Sequence, residues 1–229
     1  HAFTDLGMSG QLLVYLFFFI LLPIVLLAIN FKMLPKEKQE DSVWSREFWM
    51  LIGALILAIA AFQISLTTSI PVINKIFGTS LAPPAEGKTF EHYHQWQIPF
   101  GILVLTLMAV TQFLKYKKND PKEFQKNILI PCVAALVLAI TIAFAFNWFL
   151  EKRTFFYALL LFACLLAVVG NITFFAKVLK GKFAHAGPSI AHIGFGMILL
   201  GALISTSKSE NISINREGGV EVFGKDFSN

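Results

Sequence analysis

Charge is what this sequence lacks. Only 14% of its 229 residues are charged, against 56% hydrophobic, and the mean hydropathy is +0.67, a balance that excludes an ordinary soluble domain. No Asp, Glu or Arg stands in the middle of any long apolar run, so the usual intramembrane proton relay or ion pathway has no residues to run on. The runs also lack period-2 alternation, which excludes a barrel whose strands would turn successive residues to lipid and lumen. Cysteine is nearly absent; Cys132 and Cys164 both lie inside apolar runs and read as packing thiols rather than a disulfide, so no redox compartment follows. There is no initiator Met and no charged segment ahead of the first apolar run, and the chain is expected to begin mid-protein without a signal peptide. Internal repeats and low-complexity tracts are missing as well, and no basic patch is interleaved with exposed aromatics, so the net charge of +5 predicts no nucleic-acid partner.

What is present is apolar length. Six stretches can cross about 30 Å of hydrocarbon, which takes about 20 helical residues: positions 11–31, 48–70, 96–115, 128–150, 155–177 and 188–206. The expected fold is all-α, a polytopic membrane helical bundle over 1–206 in contact with lipid, and the twenty-four Phe suit its lipid-facing and bundle-filling positions. "EKRT" between the fourth and fifth spans predicts a tight helical hairpin. Loops 32–46, 115–127 and 177–187 carry four, five and three Lys or Arg, against two, two and three in 71–95, 151–154 and the 207–229 tail. The positive-inside rule makes the richer set cytoplasmic and turns both termini outward.

Pro23, Pro99 and Pro131 are expected to kink their helices, and Gly194, Gly196 and Gly201 to give the sixth span a surface that a backbone or a flat ligand can approach. The polar groups Gln63, Asn147 and Asn171 are each expected to find an interhelical hydrogen bond. The tail alternates apolar and polar residues in "NISINREGGVEVF", with Gly218-Gly219 as a hairpin turn, and reads as the start of a truncated, β-rich outer domain over 207–229.

Five histidines remain. His192 lies four residues beyond Pro188, about 6 Å into the last span at 1.5 Å per residue. Two readings stand there with equal weight: a neutral ring donating to a neighbouring helix, or a ligand whose lone pair suits haem iron. His1 stands at the edge of the first span, where a chain end ordinarily frays. His92 and His94 flank Tyr93 at the mouth of the third span; H-x-H alone closes no metal site, and Tyr93 and Trp96 are more simply interfacial anchors. His185 falls in a basic loop and is expected to be solvated.

"HAF" and a following Asp and Gly before the first span, "WSRE" opening the second, "PFGIL" in the third and "AHIGFGMILLG" before "SENISINREGG" stand in order along essentially the whole chain. Together they resemble the C-terminal half of the CcmF branch of the haem-handling CcmF/CcsA family, which acts in cytochrome c maturation. The resemblance implies that His1 is the second of two outward histidines clamping a transient haem at the outer face. It implies that His192 is the second of two intramembrane axial ligands of a b-type haem, with the partner histidines and a Trp-rich segment on helices upstream of this chain. It implies apocytochrome c, a haem-delivery chaperone and other maturation proteins as partners. The expected location is the bacterial inner membrane with periplasmic termini, and the expected activity in the full-length protein is that of a haem lyase, with no catalytic acid, base or nucleophile visible here. A membrane transporter and a structural membrane subunit with a packed histidine stand as the alternatives.

Overall fold

The computed structural model describes residues 9–33, 43–85, 88–115, 119–145, 154–207, 213–216, 219–222 and 225–228. Six of its helices are long and apolar enough to cross a membrane, and the protein is a multi-pass membrane protein. They are α1 (Ser9–Asn30), α2 (Arg46–Phe77), α3 (Thr89–Val110), α4 (Pro121–Ala145), α5 (Thr154–Lys177) and α6 (Gly187–Ser207). The chain divides into two units, 1–40 with α1 and 41–229 with the rest. In α1, Pro23 sits inside the helix as expected, and the helix tightens at Phe31–Met33 into a 3-10 turn.

In the larger unit α5 is central and packs against α3, α4 and α6, while α2 joins through α3. With lipid as apolar as leucine, helices associate through close packing of small residues rather than through a hydrophobic driving force. The buried face of α4 shows this as a stripe four residues apart, Pro131, Ala135, Ala139 and Ala143. On α5, Leu161, Ala163, Cys164 and Ala167 are fully buried. A Cβ on Gly196 of α6 would meet Val168 at 3.1 Å and the Cys164 carbonyl at 3.3 Å, so this glycine brings α5 and α6 backbone to backbone. Gly194 and Gly201 face open space, so of the three glycines expected to let something close, only Gly196 is in use among the described residues.

Polar side chains in the spans return to the backbone where they can. Thr68, Thr106, Thr141 and Thr173 each donate to the carbonyl four residues back at 2.8 Å, which satisfies the hydroxyl without water. Gln97 of α3 donates to Gln63 of α2 at 2.8 Å, the interhelical bond expected for Gln63. Asn171 departs from expectation: its amide donates within α5 to Ala167 at 2.8 Å, and its buried oxygen has no partner among the described residues. Asn147 lies outside the described residues.

Span boundaries shift where a helix outlasts the hydrocarbon. α2 continues through Pro71 and stops at Gly78, whose φ of 64° is left-handed, with Asn74 folding back to bind Leu81 and Thr79. α3 starts at Thr89 and so takes His92 and His94 into its first turns, and α4 starts at Pro121, where Asp120 accepts from the Lys122 backbone. The "EKR" of the expected hairpin turn lies outside the described residues, as does His1.

Strands β1 (Ser213–Arg216), β2 (Gly219–Val222) and β3 (Lys225–Ser228) form an antiparallel sheet in the order β1-β2-β3. Arg216 pairs with Gly219, so Gly219 belongs to β2 rather than to the turn, and Gly218 is outside the described residues. Three four-residue strands do not establish the β-rich outer domain expected from position 207; the fold shown is the all-α membrane bundle.

Candidate site at the start of the last span

His192 faces inward. On α6, Ser189 and Gly196 are buried while Ile190, Ala191 and Phe195 are exposed, and His192 falls half-buried on the same face as Ser189 and Gly196. The entry to α6 fixes that face. After α5, Lys180 and Gly181 at φ of 49° and 71° reverse the chain, and Gly181 donates back to the Phe175 carbonyl at 3.1 Å. A 3-10 turn at Phe183–His185 follows, Ala186 is fully buried, and Pro188 falls at the start of the helix, where its missing N–H would be unsatisfied anyway. His185 is exposed, as a solvated loop residue should be.

The partner of His192 comes from the far end of α3. That helix tightens at Thr111–Phe113 into a 3-10 turn and closes as Leu114 goes extended, donating to Thr111 at 3.1 Å. Gln112, Phe113 and Leu114 are all buried, at 3%, 7% and 5% exposure, so the terminus is walled on every side; Phe113 meets Phe174 of α5 edge-on. The same end is tied down from outside the bundle. The Arg46 backbone N–H and the Asn119 side-chain amide donate to the Lys115 carbonyl, and the Asn119 amide also accepts from the Lys115 backbone at 2.6 Å and donates to the Trp44 carbonyl.

Gln112 then bridges two residues of α6. Its amide nitrogen lies 2.5 Å from Nδ1 of His192, and its amide oxygen accepts from the Ser189 hydroxyl at 3.3 Å. Burying an amide with either end unmet would cost about 1–3 kcal/mol, so the bridge matters to α3–α6 docking as well as to the ring. The level within the bundle is set by α5. A Cβ on Gly170 of α5 would touch Ala109 of α3 at 3.5 Å, and one on Gly196 of α6 would touch Val168 and the Cys164 carbonyl, so α5 packs closely against both neighbours.

The donor types fit a haem ligand: His192 is an imidazole on the inward face of α6 whose Nδ1 meets the Gln112 side-chain amide, a group that carries an acceptor oxygen as well as the nitrogen now facing the ring, and Nε2 makes no hydrogen bond among the described residues. No group of three or more His, Cys, Asp or Glu capable of closing a metal site occurs among the described residues.

At the other end of α3, His92 and His94 behave differently. His94 stacks on Phe90 at 3.9 Å between ring centroids, His92 meets Tyr93, and Nε2 of His92 is buried without a partner among the described residues. Trp96 is half-exposed, in keeping with an interfacial anchor. A cavity of about 700 Å³ opens beside His94, lined by Ile98, Pro99, Phe155, Phe156 and Tyr157. Of the two expected site residues, then, His192 is placed in a built polar contact and His1 falls outside the described residues. Gln112 and Ser189 were not singled out by sequence reasoning. The one signal was a Gln in "MAVTQFL", the last turn of an otherwise apolar span.

No family model matches the chain. No solved structure matches it. Among curated proteins it is 22% identical over 193 residues to the cytochrome c-type biogenesis protein CcmF of Escherichia coli (strain K12), covering 82% of the chain and 28% of that protein. It is 31% identical over 188 residues to the CcmF of Pseudomonas fluorescens, covering 76% of the chain and 27% of that protein. The chain thus spans little more than a quarter of the length of the curated relatives it matches.

Proposed function

We propose, from the premise that this chain resembles a segment of CcmF, that it is part of a membrane protein of cytochrome c biogenesis and that His192, with a second residue, would hold the iron of a b-type haem inside the bundle. The observation that carries this is the inward ring of His192, held at Nδ1 by Gln112 with Nε2 unpartnered. In this reading His192 would bind iron, and Gln112, itself held by Ser189, orients the ring through Nδ1. When bound, the b-type haem supplies one-electron transfer that keeps the iron of a delivered haem reduced. His1 and an upstream histidine hold that delivered haem at the outer face, where apocytochrome c thiols add to its vinyl groups in a haem-lyase reaction. A haem-delivery chaperone and other maturation proteins complete the machinery. The bundle over 1–206 lies in the bacterial inner membrane with both termini periplasmic, and 207–229 lies on the periplasmic side. The Lys and Arg asymmetry of the loops supports that orientation.

The test uses the intact membrane protein, purified in mild detergent. His192→Ala is expected to abolish the b-type signal in a reduced-minus-oxidised spectrum while insertion and yield hold. His1→Ala is expected to leave that signal and stop maturation of a reporter c-type cytochrome. A full b-type signal in His192→Ala removes the ligand role.

A further inference from the structure

The bridge between Gln112, His192 and Ser189 contains a contradiction that points to a role for Gln112. An amide nitrogen can only donate, so with the Gln112 nitrogen 2.5 Å from Nδ1, the imidazole nitrogen accepts and the ring proton resides on Nε2. A protonated Nε2 has no lone pair for a metal. An imidazole that ligates through Nε2 carries its proton on Nδ1 and needs an acceptor there. The same amide has one, its oxygen, now taken up by Ser189 at 3.3 Å.

We infer that Gln112 is the positioning residue that selects the tautomer of His192, its amide turning over by half a rotation so that its oxygen accepts from Nδ1–H while its nitrogen donates to Ser189. This rests on the ligand role of His192 proposed above. Three properties of the site favour it. The terminal torsion of Gln is soft and close to two-fold, so the reversal needs no backbone movement. Serine both donates and accepts, so it partners either orientation, and both arrangements hold two hydrogen bonds. Gln112 is 3% exposed and Ser189 1%, so water does not substitute for either partner. The pair therefore offers His192 two tautomers at similar hydrogen-bond count, of which one binds metal. Proton transfer between the ring nitrogens closes the balance: one proton leaves Nε2, one arrives on Nδ1, and the net charge is unchanged.

The experiment compares Gln112→Glu, Gln112→Met, Ser189→Ala and His192→Ala in the intact protein, reading haem retention against a haem-scavenging apoprotein and the midpoint potential by redox titration. Glu keeps an acceptor for Nδ1–H and cannot present the amide donor, so it should retain haem and lower the potential through a more electron-rich imidazole. Met keeps the shape and loses the acceptor, and haem affinity should fall about 10–100-fold, as when a metal-bound histidine loses the partner of its other ring nitrogen. Ser189→Ala should weaken retention by a smaller factor, because the turned amide loses its own acceptor. A packing role for Gln112 gives the reverse order, with Met retaining haem and Glu losing it, and that order overturns the inference. So does an unchanged potential in Gln112→Glu. If neither position-112 variant inserts, Ser189→Ala decides, and retention equal to the parent overturns the inference. Haem kept in His192→Ala fails the ligand reading itself, whereas haem lost there but unaltered in Gln112→Met fails only the role of Gln112.

Discussion

The two ends of α3 hold the same kind of residue in different settings. Near its start, His94 stacks on Phe90 beside a cavity, and His92 touches Tyr93 next to it in sequence. Just past its finish, Gln112 binds a histidine eighty residues away. The ends are separated by about 27 Å of helix at 1.5 Å per residue, close to the thickness of the hydrocarbon. What differs is packing. At the His192 end three helices approach with small residues, and a buried amide with both ends met fixes one ring nitrogen. At the His94 end large aromatic rings leave a void. A histidine thus gains chemical definition from the helices around it more than from its own neighbours in sequence.

The comparison breaks most forcefully at Gly196. Gly196→Leu drives a side chain against Val168 and the Cys164 carbonyl, of which the carbonyl is backbone and cannot swing aside. Overpacking of this kind costs about 1–3 kcal/mol, and equilibrium unfolding in mixed detergent should show it. Because α6 is pushed off α5, the b-type signal should fall with it; an unperturbed stability would mean that α5 and α6 are not in backbone contact. A smaller effect is expected at the Gln97–Gln63 bond, which lies away from His192. Gln97→Leu should lower stability by about 0.6 kcal/mol, the average for such bonds in bilayers, and leave the spectrum alone. The smallest effect is expected at His94. His94→Ala should leave the b-type spectrum as in the parent protein, and a shifted or weakened band would make the two ends of α3 equivalent after all.

The spans themselves were legible, because about 20 apolar residues in a row admit few other readings. α5 and α6 fall within a residue of expectation. Ends that leave the hydrocarbon were not: "TFEHYHQ" winds onto α3 although it is polar, since hydropathy marks where lipid begins and not where a helix does. The terminus of α2 was set by Gly78 and Asn74 rather than by Pro71, whose lost hydrogen bond a membrane helix tolerates. At the site, His192 stood out as an imidazole in apolar surroundings, but Gln112 did not. Its meaning comes from α5 bringing α3 and α6 together, which no local pattern encodes. An interhelical hydrogen bond is what the sequence predicts for Asn171, and its amide instead donates within α5.

The most direct measurement removes the ring and returns it as a free molecule. His192→Gly in the intact protein leaves an imidazole-sized gap at the end of Gln112 and should purify without the b-type band. Adding imidazole should restore that band in a saturable way, with the free ring taking the place of the side chain. A variant that keeps the band before imidazole is added, or never regains it although correctly inserted and supplied with haem, would contradict an iron ligand at this position.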